Sequence, residues 1–304
     1  MDNVLETKAL TKKYKKHSAL CDLDMHVPKG AIYGLIGENG AGKTTLIRLI
    51  CGLQSPDSGQ YYLYGKESRE KEIYESRRRM GAVVETPSLY LDMTAYDNLV
   101  QQSMLLGRPS CDGMEALLEL VGLAGTGKKK AKDFSLGMRQ RLGIAIALAG
   151  NPDFLVLDEP VNGLDPEGII EIRELILKLN RERRITVLIS SHILDELSKL
   201  ATHYGFIHQG KMVKEASAEE LEQMFRKKTI VKTDNTKKLA KVLESLQLEY
   251  KILSDTEAEI YERITASELA AVMEKEGACL ESVYEKDESL ESYYIRLIGG
   301  ERHE

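Results

Sequence analysis

Short apolar runs without alternation punctuate the first two hundred residues: "AIYGLIG" at 31–37, "GAVV" at 81–84, "FLVLD" at 154–158 and "TVLISS" at 186–191. Runs of this kind mark strands covered on both faces, as in a largely parallel sheet. Helical spacing replaces them in "KTTLIRLICGL" at 43–53 and dominates residues 91–150, where "DGMEALLELVGLAG" and "SLGMRQRLGIAIALAG" predict an α-helical insertion between strands. A charged, helix-like connector, "EELEQMFRKK" at 219–228, marks a boundary. Beyond it "TIVKTD", "TKKLAKVLESL", "YKILSD", "EAEIYER", "ASELAAVMEKEG" and "LESVYEKD" follow one another as β-α-β-β-α-β, with a last helix over "SLESYYIRLIG". That order is ferredoxin-like. The pattern therefore predicts an α/β domain over residues 1–220 and a small α+β accessory domain over residues 221–304.

Composition narrows the class. The chain has 304 residues, 42% hydrophobic and 30% charged, the balance of a globular protein large enough for about two domains. It contains no uninterrupted apolar run of membrane-spanning length, and "MDNVLETKAL" lacks the regions of a signal peptide, so neither a membrane crossing nor secretion is expected. Four cysteines, Cys21, Cys51, Cys111 and Cys279, stand far apart without metal-ligand spacing and read as reduced thiols of a cytoplasmic protein. A net charge of −6 argues against a nucleic-acid partner. The basic run "GKKKAK" at 127–132 reads as a solvated loop.

The chemistry begins at "GENGAGKTT", Gly37 to Thr45, which fits G-x-x-x-x-G-K-[ST] between an apolar strand and a helix. A loop of this kind, here with Gly37, Asn39, Gly40 and Gly42, turns successive backbone N–H groups inward around a phosphate, and the following helix adds its positive end. Lys43 is then placed for the β- and γ-phosphates of a nucleotide, the Thr44 hydroxyl for Mg²⁺, and Thr45 as a neighbouring donor. A glycine-rich turn that merely precedes a lysine would match by chance on the order of 1% of the time in such a chain. A Mg²⁺–nucleotide site also needs a second oxygen ligand and a group that activates water. "FLVLDEP" offers Asp158 for the first and Glu159 for the second.

Between these elements lies "FSLGMRQRLGIAIALAG", Phe134 to Gly150, which resembles the signature segment of ATP-binding cassette (ABC) ATPases, usually written L-S-G-G-Q. Ser135 and Gly137 match; Phe134, Leu136 and Met138 depart, and Met138 removes a side-chain donor. Ser135 stands where a helix N-cap would, so its hydroxyl, the Gly137 amide and the helix dipole can hold an anion. The resemblance continues in "NGLDP", similar to the D-loop with Asp165, and in "VLISSH", similar to the switch strand ending at His192. It also includes Tyr14, similar to the aromatic that stacks on adenine, and "VVETPSLY", which places Glu85 where most relatives carry the Q-loop glutamine.

This resemblance spans roughly residues 1–220. It implies the ABC type of P-loop NTPase fold: a mostly parallel sheet, an N-terminal antiparallel β part and an α-helical insertion, with the ferredoxin-like domain appended. Its cofactors would be ATP and Mg²⁺, with Thr44, Asp158 and Glu85 toward the metal and Glu159, His192 and Glu85 toward the attacking water. One copy's signature helix does not readily reach its own P-loop, so a head-to-tail homodimer or heterodimer of ATPase subunits is expected, with Asp165 touching the partner's P-loop.

Several of these strings are most similar to the ATPase subunits of bacterial exporters for bacitracin or lantibiotics. Such a subunit would lie in the cytoplasm, peripheral on the inner face of the cell membrane, against a separate integral membrane permease. An exporter of another drug or amphiphile, or a soluble ABC ATPase outside transport, are the alternatives. The latter usually carries two cassettes or a long coiled coil, and this chain has neither.

Overall fold

The computed structural model describes residues 2–15, 17–108, 112–224, 228–261, 264–275, 279–286 and 289–299. The chain divides into two compact units, residues 1–218 and 219–304, so the division falls two residues ahead of the boundary expected from the charged connector.

In the first unit β1 (Asn3–Tyr14), β2 (His17–Pro28), β4 (Ser58–Leu63) and β5 (Lys66–Glu67) form an antiparallel sheet in the order β2-β1-β4-β5. A second sheet runs β10-β9-β3-β8-β7-β6 from β3 (Ile32–Ile36), β6 (Met80–Val83), β7 (Phe154–Asp158), β8 (Thr186–Ser191), β9 (His203–His208) and β10 (Lys211–Ser217). All its pairings are parallel except β9–β10. Every residue of β3, β7 and β8 is buried, which is why these strands read as continuous apolar runs.

Helix α1 (Lys43–Ile50) follows the glycine loop, and its Leu46, Ile47, Leu49 and Ile50 join one apolar cluster with Leu5, Leu20 and Met25 of the antiparallel sheet and Leu35, Val156 and Leu188 of the other. An eight-residue helix has little stability by itself. Burying such side chains, at about 1.5–3 kcal/mol each, is what fixes it. α2 (Ile73–Arg78) leads into β6, and α3 (Ala95–Leu105), α4 (Met114–Leu120) and α5 (Leu136–Leu148) make the helical insertion. α3 starts at a reciprocal capping box between Thr94 and Asp97. α5 lies hard against β6 and the loop after it: a Cβ on Gly81 would stand 2.3 Å from the Ala147 carbonyl oxygen, and one on Gly143 2.6 Å from Pro87. α6 (Pro166–Arg183) and α7 (Leu194–Ser198) complete the unit. Among the described residues no helix is long and apolar enough to cross a membrane.

The second unit holds α8 (Ala218–Met224, from its second residue), β11 (Lys228–Thr233), α9 (Thr236–Ser245), β12 (Tyr250–Ile252), β13 (Glu257–Ile260), α10 (Ala266–Lys275), β14 (Leu280–Lys286) and α11 (Leu290–Gly299). Its sheet is antiparallel in the order β12-β13-β11-β14, the pairing that a β-α-β-β-α-β chain gives when each helix returns over one face. Val231, Leu239, Val242, Leu243, Ala258, Ile260, Leu269 and Met273 form its core. Cys21 and Cys51 are half-buried free thiols and Cys279 an exposed one; Cys111 lies outside the described residues.

Candidate functional site

Because β3, β6, β7 and β8 run parallel, the loops after them all emerge at one end of the sheet, where α/β proteins bind ligands. Register sets which loops meet. Ile36, the last residue before the glycine loop, pairs with Ser191, and Asp158 pairs with Ser190, so Gly37, Asp158, Glu159 and His192 converge.

The loop itself cannot tolerate side chains at two glycines. Gly42 has φ +111, and a Cβ there would stand 2.5 Å from the Ala19 carbonyl oxygen; one on Gly37 would stand 2.6 Å from that of Ile207. α1 therefore begins with Gly42 in a left-handed conformation and no side-chain cap, leaving its first N–H groups to an outside acceptor. Lys43, only 5% exposed, donates to the carbonyl oxygens of Gly37 (2.6 Å) and Glu38 (3.3 Å) and pairs with Glu159 Oε1 at 3.1 Å. Tyr14, His17, Glu38, Asn39, Gly40, Gly42, Lys43, Thr44, Thr45, Glu159 and Asn162 share one cavity of about 310 Å³. Tyr14 is 40% exposed at its rim, with Lys12 Nζ 5.7 Å from its ring and its hydroxyl donating to Gln54.

Glu159 is the hub. Its backbone sits at φ +49, a conformation that costs a non-glycine residue about 1–3 kcal/mol unless its surroundings hold it. Here they do: its N–H donates to Ser190 Oγ (2.9 Å) and Ser190 O (3.2 Å), while the carboxylate lies between Lys43 and His192 Nδ1, the latter at 2.7 Å. Ser190 also donates its hydroxyl to Asp158 Oδ1 at 2.6 Å. One serine thus orients both acids, a role that neither acid motif announces in the sequence. Its signal was the serine pair closing an apolar strand.

Asp158 is 1% exposed, and its other oxygen, Oδ2, is buried with no hydrogen-bond partner among the described residues. A buried ionised oxygen without a donor is costly, and a hard cation is the partner that suits it. Thr44, the other oxygen donor, lines a second cavity of about 560 Å³ with Glu85, Asp158, Glu159 and Asn162. The residues present therefore fit Mg²⁺. Asn162, which lines both cavities, is a further site residue that the motif reading passed over.

Glu85 stands two residues beyond β6 at φ +59, and its carboxylate takes an ion pair from Arg48 of α1. The acid at the strand end is neither buried nor alone: its side chain is 53% exposed. Ser135 N-caps α5, accepting from Met138 N–H at 3.2 Å, and Gly137 in the first turn has only Leu164 near the place of a Cβ. Neither Ser135 nor Gly137 lines the Tyr14–Lys43 cavity, although Leu136 lines the second one. Asp165 N-caps α6 by accepting from Gly168 N–H at 3.0 Å, with Pro166 at the first helical position.

The ABC transporter family pattern matches residues 20–162. Bacitracin transport ATP-binding protein BcrA of Enterococcus faecalis is 40% identical over 302 residues, covering 99% of this chain and 98% of that protein. The chain belongs to the ABC transporter ATP-binding family. Lantibiotic transport ATP-binding protein SrtF of Streptococcus pyogenes is 44% identical over 225 residues, 73% of this chain and 96% of the relative. Among solved structures, the dimeric post-hydrolysis state of the ATP-binding cassette MJ0796 bound to ADP and Pi superposes with a TM-score of 0.64 at 25% identity, covering 70% of this chain and 98% of that one. With the family come ATP as the nucleotide and its hydrolysis as the reaction.

Proposed function

We propose that this ATPase drives export of a membrane-active antimicrobial peptide of the bacitracin or lantibiotic kind through a separate integral membrane permease, on whose cytoplasmic side it sits. The observation that carries this is the reach of the similarity: the match to the bacitracin transport protein runs through the C-terminal unit as well, 99% of the chain, whereas the lantibiotic relative matches 73%.

In this account the backbone N–H groups of Gly37 to Gly42 and the start of α1 hold the β- and γ-phosphates, Lys43 neutralises them, and Tyr14 stacks on the base. Thr44 and Asp158 would hold Mg²⁺, which when bound would supply positive charge to offset the negative charge of the phosphates. Glu159 takes a proton from the attacking water, and His192, bonded to the same carboxylate, sets its direction. Lys43 and His192 both bond the Glu159 carboxylate, so removing any one of the three is expected to misalign the others.

Two copies face head to tail, each lending Ser135 and Gly137 to the other's γ-phosphate and Asp165 to its glycine loop. Glu85 answers to the metal and water side of the cavity that it shares with Thr44 and Asp158, and releases Arg48 to do so. Glu85→Gln is expected to leave ATP binding intact and alter turnover or its coupling to transport.

Resistance profiling tests the transport assignment. A strain lacking the protein is expected to become sensitive to bacitracin or a lantibiotic, with rescue by the wild type and none by Lys43→Ala. Unchanged resistance across cell-wall-active peptides would overturn the substrate class.

A further inference from the structure

The hairpin that carries Tyr14 also carries a histidine. His17 opens β2 directly opposite Tyr14, its Cα partner in the β1–β2 ladder. Side chains alternate along a strand, so His17 lies on the same face as position 19. That stretch of β2 is fixed against the glycine loop. The Ala19 carbonyl leaves no room for a side chain at Gly42, Cys21 N–H donates to Gly210 O at 2.9 Å, and Gly210 N–H donates to Ala41 O at 2.9 Å.

His17 accordingly lines the same cavity as Tyr14, Asn39 and Lys43. It is exposed, and its imidazole makes no hydrogen bond or ion pair with any described residue. Both ring nitrogens are therefore available to a ligand. A nucleotide with its base on Tyr14 and its β- and γ-phosphates at Lys43 must pass its ribose and α-phosphate between them, beside the residue paired with Tyr14.

We infer that His17 is a nucleotide-binding residue whose ring N–H donates to the ribose–α-phosphate segment. It gives the site a grip that ATP and ADP share and that lies outside the glycine loop. This holds only if Tyr14 and the glycine loop frame an ATP site, as proposed above.

Calorimetric titration of the full chain with ATP and, separately, with ADP tests the assignment. His17→Ala is expected to weaken both nucleotides equally, by about five- to tenfold, the worth of one hydrogen bond in a partly open site. His17→Asn, which keeps a donor, should recover most of the loss, and the melting temperature without nucleotide should not change. Unaltered affinity in His17→Ala, while Lys43→Ala abolishes binding in the same assay, overturns the role of His17 and spares the site. A loss for ATP alone overturns it too, by moving the contact to the γ-phosphate, as does a lowered melting temperature that Asn does not restore. If Tyr14→Ala and Lys43→Ala also bind like the wild type, the ATP site itself is misplaced and the inference falls with it.

Discussion

Asp158 gives the sharpest separation between an acid kept for stability and one kept for a ligand. Its Oδ1 is satisfied by Ser190, but Oδ2 is buried with no partner among the described residues, and an unsatisfied buried acceptor costs about 1–3 kcal/mol. Asp158→Asn removes the charge and keeps the oxygen that Ser190 needs. The amide brings N–H groups that also lack a partner, so only part of the cost returns, on the order of 1 kcal/mol. For a unit of 218 residues that raises the melting temperature by about 2–4 °C in the absence of ligand. With Mg²⁺ and ATP the order should reverse. A ligand at a hundred times its Kd stabilises the wild type by about 2.7 kcal/mol, and the magnesium-dependent share of this should vanish in the variant. Thermal melting with and without Mg²⁺ at fixed ATP measures both effects. A variant that melts lower without ligand, yet keeps its full magnesium-dependent shift, would refute the assignment of Oδ2 to a metal.

Other residues make separable demands. Gly42→Ala forces a Cβ against backbone at φ +111, so it should cost more than about 2 kcal/mol, lower the melting temperature by several degrees and abolish ATP binding; a neutral result would mean the loop relaxes freely. Glu196 is pushed up by burial but pulled further down by Lys199 and Arg173, each at 2.9 Å, so its folded carboxyl titrates below the ordinary range. The stability this gives is full above about pH 5 and is lost as pH falls through the folded value. Glu196→Gln should therefore melt below the wild type at neutral pH and converge with it in acid. Burial, reinforced by Asp158 and opposed by Arg77, pushes the Cys51 thiol up to about 12. At pH 8 an alkylating reagent should then modify exposed Cys279 and leave Cys51 intact, as peptide mass spectrometry would show.

The strands that hold the site were legible because a parallel sheet buries both faces, leaving "FLVLD" and "TVLISS" as unbroken apolar runs ahead of their acids and histidine. The glycine loop was legible because its chemistry is local. What the sequence hid are contacts between distant segments. Ser190 bridging two acids depends on the β7–β8 register, and Arg48 holding Glu85 depends on α1 reaching the loop that follows β6. The run "GKKKAK" is solvated as it reads, with Gly127 and its four lysines exposed and only Ala131 buried, but the sequence did not show how it is tied down: Lys132 pairs with Asp92 at 2.9 Å, Lys129 lies 5.7 Å from the Phe134 ring, and backbone bonds tie Ala131 to Met93 and Lys132 to Leu91. Asp165 likewise has a partner within its own chain, as an N-cap, before any second copy arrives.

Glu159, held between Lys43 and His192, is the residue proposed to activate the water that attacks ATP. Turnover by the Glu159→Gln variant, measured beside its ATP affinity and its ATP-dependent dimerisation, tests this role most directly. The variant should bind ATP, dimerise and lose about 10²–10⁴-fold in hydrolysis rate. Hydrolysis at the wild-type rate in a variant that still binds ATP and dimerises would contradict the account.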